Sequence, residues 1–245
     1  MKHKYKTLLI CFSLALSAFS TPTPASDVTP LGPDIILPLD QILSSQGGGG
    51  SFSHTLTSTP QETSTRILTG NTCPKCTNQQ GYATISARTV SVSYQITIPC
   101  SSGTSLISDL TGKSGTVSQG FCDRVKTHEY QHLEIEKLIV SKVFDEYTSR
   151  TLTLQTGVYC NLSQADTQIY KMEGELWDFA YASYQHLELC QDNQLHNSNP
   201  AFVATGNLNN YWSYTDNGWA ASALDYINNF TLNWPTPNIG GLTCE

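Results

Sequence analysis

The sequence predicts an α+β domain: a β-rich first half followed by two long helices. Three observations carry this. Residues 51–120 are rich in Ser, Thr and β-branched residues. Within them Val90, Val92, Tyr94, Ile96 and Ile98 alternate with Ser91, Ser93, Gln95 and Thr97, the two-residue period of a strand with one covered face. Downstream, apolar residues recur every three or four positions in two long stretches, the period of helices with one buried face.

The chain opens on an export signal. Lys2, Lys4 and Lys6 form a positive start, Thr7 to Ala18 is mostly apolar, and Ala18-Phe19-Ser20 offers small residues for cleavage after Ser20. Residues 1–20 are therefore assigned as a signal peptide, and the mature protein is expected outside the cytoplasm, extracellular or periplasmic. Residues 21–50 read as a tether, kept extended by Pro22, Pro24, Pro30, Pro33 and Pro38 and loosened by Gly47 to Gly50. Residues 51–245 form one domain: 51–120 β-rich, 121–193 two long helices, 194–245 a polar and aromatic segment.

The clearest strand runs from Thr89 to Pro99. The first helix is predicted from an N-cap at Asp123 to about Leu152, with Val125, His128, His132, Ile135, Ile139, Val143 and Tyr147 on its inward face. The second starts at Ser163, where Ser163-Gln164-Ala165-Asp166 resembles a capping box. It buries Ile169, Met172, Leu176, Ala180, Ser183, Leu187 and Cys190. A short helix is expected around Trp219 to Phe230.

Composition excludes some partners. Three of the 13 Lys and Arg lie in the signal, so ten face 20 Asp and Glu, a mature net charge of −10 with His neutral. A chain this acidic, with no local basic patch, is not expected to bind nucleic acid or an anionic membrane. No segment after the signal reaches the roughly 18 apolar residues of a membrane helix. Of eight cysteines, Cys11 leaves with the signal, and seven remain for disulfides and one unpaired thiol. Cys73-Pro74-Lys75-Cys76 lacks the further ligands of a zinc knuckle and is read as structural.

The chemistry lies in His128-Glu129-Tyr130-Gln131-His132. Residues four apart on a helix project from one side, so His128 and His132 can reach one Zn²⁺. Glu129 is then turned toward the open coordination position, where it can take a proton from zinc-bound water and give it to a leaving amine. The plainer alternative is a helix that happens to carry two histidines, but inward histidines need partners.

This helix resembles that of the zincin metallopeptidases. The metzincin extension is absent, since Ile135 and Leu138 stand where it has Gly and His. The chain is thus closer to the gluzincin branch, whose resemblance implies a zincin-like fold and a third ligand, a Glu, from a later helix. The element order is also similar to that of a family of secreted bacterial zinc proteases of uncharacterised function. On the second helix, Glu173 falls beside Met172, Leu176 and Ala180, and a carboxylate pressed on that stripe needs a strong partner. Glu173 is the expected third ligand, with His186 and His196 next. The resemblance also implies a Tyr hydroxyl steadying an oxyanion, and Tyr170, Tyr181 and Tyr184 lie on the second helix.

The expected function is a secreted zinc metallopeptidase acting on a peptide or protein substrate. Two alternatives remain: a zinc amide hydrolase acting on cell-wall material, and a non-catalytic secreted binding protein braced by disulfides. Bound metal separates the last from the others.

Overall fold

The computed structural model describes residues 26–37, 50–59, 62–69, 75–76, 79–98, 105–108, 114–117, 119–190, 202–204, 212–214 and 218–241. The expected signal, residues 1–20, lies outside them. None of the described helices is long and apolar enough to cross a membrane.

The protein mixes strands and helices. Strand β6 (Val90–Ile98) is the spine of its main sheet. Strand β3 (Ser51–Ser58) runs antiparallel to it, setting Phe52, His54 and Leu56 opposite Ile96, Tyr94 and Val92. On the other side lie β1 (Ser26–Pro30) and β2 (Ile35–Ile36), both parallel to β6. Residues 26–36 are thus an interrupted edge strand, not a free tether. Their prolines explain how both can hold, because a proline that cannot donate to a ladder is tolerated on an edge. Asp145 also anchors β1, accepting hydrogen bonds from both the Ser26 amide and its hydroxyl.

A second pair, β4 (Glu62–Ile67) and β5 (Gly81–Ala87), is antiparallel. Two short antiparallel pairs follow: β7 (Ser105–Ser108) with β8 (Ser114–Val117), and β9 (Phe202–Ala204) with β10 (Trp212–Tyr214).

The helical part is a long rod and its partner. Helix α1 (Gln119–Val140) passes through a π-helical turn, Ser141–Asp145, into α2 (Glu146–Leu152). The rod begins four residues before the expected cap. The Asp123 carbonyl already accepts from Thr127 Oγ1 at 2.9 Å, as a helix interior does. Helix α3 (Leu162–Leu189) is capped by Asn161, whose side chain accepts from the Ser163 amide at 2.9 Å. The capping box expected at Ser163 does not form, because Asp166 instead accepts from Thr63 Oγ1 at 2.7 Å. Helix α4 (Trp219–Asn229) matches the short helix expected there.

The core forms where the rod meets sheet, α3 and α4. Val90 and Val92 pack with Ile135, Ile139, Val143 and Tyr147 of the rod, Leu176 and Leu187 of α3, and Ala223 and Ile227 of α4. Each fully buried Val, Leu or Ile contributes about 1.5–3 kcal/mol. A second cluster joins Ala83 and Ile85 to Ala165, Ile169 and Met172 of α3. The α2–α3 connection runs beside β5, with Gly81 and Tyr159 exchanging backbone hydrogen bonds of 3.0 and 2.8 Å.

Cys160 of that connection is bonded to Cys76, ahead of β5, across a sequence separation of 84 residues. Cys190 at the end of α3 is buried and free. Closing so long a loop restricts the unfolded chain most. Replacing Cys76 and Cys160 together by Ser should lower unfolding stability by about 2–4 kcal/mol in urea titrations. A peptide map under non-reducing conditions should link the same two residues.

Candidate metal site on helix α1

Helix α1 buries a stripe of ionisable side chains. His128, His132 and Glu136 follow at intervals of four, and Glu129 lies beside the first. His128 is 3% exposed, Glu129 4% and Glu136 1%, while His132 is half-buried. The expected pair is brought together: the His128 and His132 rings stand perpendicular with centroids 5.0 Å apart. Trp219, the first residue of α4, packs against both at 5.2 and 4.7 Å. The chain turns into Trp219 through Gly218, at a φ of 73° that favours glycine. Phe52 of β3 lies nearly parallel to His132, at 8° and 6.1 Å.

Glu129 sits beside Gly50. A Cβ at Gly50 would come within 2.7 Å of Glu129 Oε1 and of Val125 Cγ1, so the missing side chain makes the room the carboxyl occupies. Burial pushes the Glu129 carboxyl up to about 8, because a charge removed from water is costly. A cation nearby would act in the opposite direction.

Glu173 is buried, 6% exposed, as its place on the stripe of α3 implied. Its partners differ from the expected metal. Tyr147 of α2 donates a hydrogen bond to Glu173 Oε1, and the Arg88 guanidinium lies 3.4 Å from the same oxygen. Arg88 in turn donates to the Tyr147 hydroxyl at 3.0 Å and to the Thr59 carbonyl at 2.7 Å, and covers the Trp177 ring at 5.1 Å. The carboxylate thus has the strong partner that burial demanded, but it is an arginine from the β5–β6 turn. Burial raises the Tyr147 hydroxyl well above its usual range, and the bond to Glu173 adds to this.

The other expected candidates also fall elsewhere. His186 is exposed, with Nε2 3.2 Å from the Tyr226 hydroxyl and 3.6 Å from Cys190 Sγ. His196 lies outside the described residues. Tyr170 and Tyr181 are exposed, while Tyr184 donates to Glu136 Oε1 at 2.8 Å. Among the described residues, one set of three His, Cys, Asp or Glu side chains holds its ligand atoms within 4.8 Å of one another: His54, Glu136 and Glu188. None of the three was singled out from sequence, although Glu136 continues the spacing of His128 and His132. A cavity of about 710 Å³ lies along the neighbouring face of α1, by Tyr130, Gln131 and Leu224, and does not touch the histidine pair.

Comparison of the chain with family models, with characterised proteins and with solved structures gives no match. The chemistry of the site therefore rests on its own residues.

Removing one partner of a buried ion pair leaves the other uncompensated, at a cost of about 3–5 kcal/mol. Arg88→Met should therefore destabilise the protein by about that much in denaturant titrations. Glu173→Gln should also destabilise it while leaving metal content unchanged by elemental analysis. A loss of metal in folded Glu173→Gln protein would instead show that Glu173 is a ligand.

Proposed function

We propose that the chain is a zinc-dependent hydrolase of peptide or related amide bonds, in which His128 and His132 hold the metal and Glu129 moves the proton. The observation that supports this is the packing of two imidazoles, four residues apart, ring against ring on an inward helix face, with a buried carboxyl at the adjacent position. Imidazole nitrogen is a favoured ligand for zinc, and the helical interval points both rings one way. Zinc, when bound, would polarise the scissile carbonyl and, as a dication, favour the ionised form of Glu129.

The chain's own residues supply the rest. Trp219 and Phe52 restrict the two rings, which lowers the entropy lost when they are fixed as ligands. Glu129, given room by Gly50, takes a proton from the attacking water at its carboxylate and returns it to the leaving nitrogen. Among the described residues no third His, Cys, Asp or Glu ligand atom joins this pair within 4.8 Å. His196 is the remaining candidate named from sequence. His196→Ala should lower zinc affinity by a factor on the order of 10 or more.

A second reading has one observation in its favour. Trp219 contacts both rings, so the histidines also suit an aromatic core in a non-catalytic binding protein. Zinc content decides between the two. Hydrolysis requires about one zinc at this pair, lost in His128→Ala and His132→Ala. Glu129→Gln should keep that zinc while hydrolysis of casein or of cell-wall peptides falls by a factor on the order of 10² to 10⁴. Full activity in Glu129→Gln would rule out this mechanism.

A further inference from the structure

The geometry points to a second divalent-cation site, separate from the histidine pair, formed by His54 of β3, Glu136 of α1 and Glu188 of α3. The three ligand atoms lie within 4.8 Å of one another, a spacing a single ion can bridge. They arrive from three elements far apart in sequence, so the cluster is a product of the tertiary fold.

Its charges call for a cation. Two carboxylates and one imidazole converge where Glu136 is 1% exposed and Glu188 only half-buried. His54 Nε2 is 3.8 Å from Glu188 Oε2, a contact that is an ion pair only if the ring is protonated. Glu136 Oε1 accepts from Tyr184 at 2.8 Å, whereas Glu136 Oε2 is buried with no hydrogen-bond partner. No Lys or Arg pairs with Glu136 among the described residues. A buried carboxylate oxygen left unsatisfied is costly, and a divalent ion bound by two carboxylates and a neutral imidazole makes a neutral set.

The surroundings match a metal site's outer shell and entrance. The Tyr184 hydroxyl orients Glu136, as hydrogen-bonded partners orient metal-ligating carboxylates. A cavity of about 590 Å³, bordered by His54, Glu188, Tyr184, Trp177 and Gln185, reaches the cluster and provides a path for ion and water. One imidazole with two carboxylates suits zinc, with a fourth position open toward that cavity.

The test is zinc stoichiometry by equilibrium dialysis against zinc chloride and elemental analysis of the mature full chain. The parent should bind two ions. His54→Ala and Glu188→Gln should each bind one, as should His128→Ala combined with His132→Ala. Adding His54→Ala to that double variant should remove the remaining ion. His54 and Glu188 are only partly buried, so these variants test the site even if Glu136→Gln fails to fold, and circular dichroism confirms their structure. Unchanged stoichiometry in folded His54→Ala and Glu188→Gln overturns the second site and leaves the hydrolase proposal standing. Unchanged stoichiometry in the histidine double variant does the reverse. A single ion lost in both sets of variants also overturns a separate site.

Discussion

The structure depends on burying a polar stripe along α1. His128, Glu129, His132 and Glu136 occupy one side of the helix, and that side faces the sheet, α3 and α4. Burying ionisable groups costs several kcal/mol each unless they are neutral, hydrogen-bonded or bound to a cation. Each surrounding element responds to this constraint. Trp219 fills against the two imidazoles, Gly50 makes room for Glu129, and Tyr184 donates to Glu136. The apolar contacts of Leu133, Ile135 and Ile139 hold the helix in place against that cost.

The same constraint is met in another way on α3. Glu173 on α3 is also buried, yet it pairs with Arg88 and is tied to Tyr147. Its charge thus faces a guanidinium and a hydroxyl donor. Glu136 and Glu188 differ, because they converge with His54, whose charge depends on protonation. This contrast separates a structural ion pair from a place that favours an ion. The β5–β6 turn supplies Arg88 to one, and β3 supplies His54 to the other.

Much of this was legible from periodicity. The alternation from Val90 to Ile98 and the three-four spacing of both helices are local patterns, and the structure follows them. The inward placement of His128 and His132 and the burial of Glu173 follow from helical phase alone. What phase cannot give is the partner across space. Arg88 lies 85 residues before Glu173, and nothing near either residue marks the pair. Likewise Glu188 lies off the apolar stripe of α3, and becomes part of a cluster only because β3 brings His54 to it. Residues 26–36 show the same limit. Their prolines signal extended chain, but the parallel pairing with β6 that makes them an edge is non-local.

The role proposed for the buried groups of α1 is to bind metal. Anomalous diffraction at the zinc edge, from crystals of the full mature chain grown with zinc, addresses it most directly. A peak at bonding distance from imidazole nitrogens of both His128 and His132 is the predicted result, with a second among His54, Glu136 and Glu188. Well-ordered side chains at all of these positions with no anomalous peak at the histidine pair would show that the pair does not hold zinc.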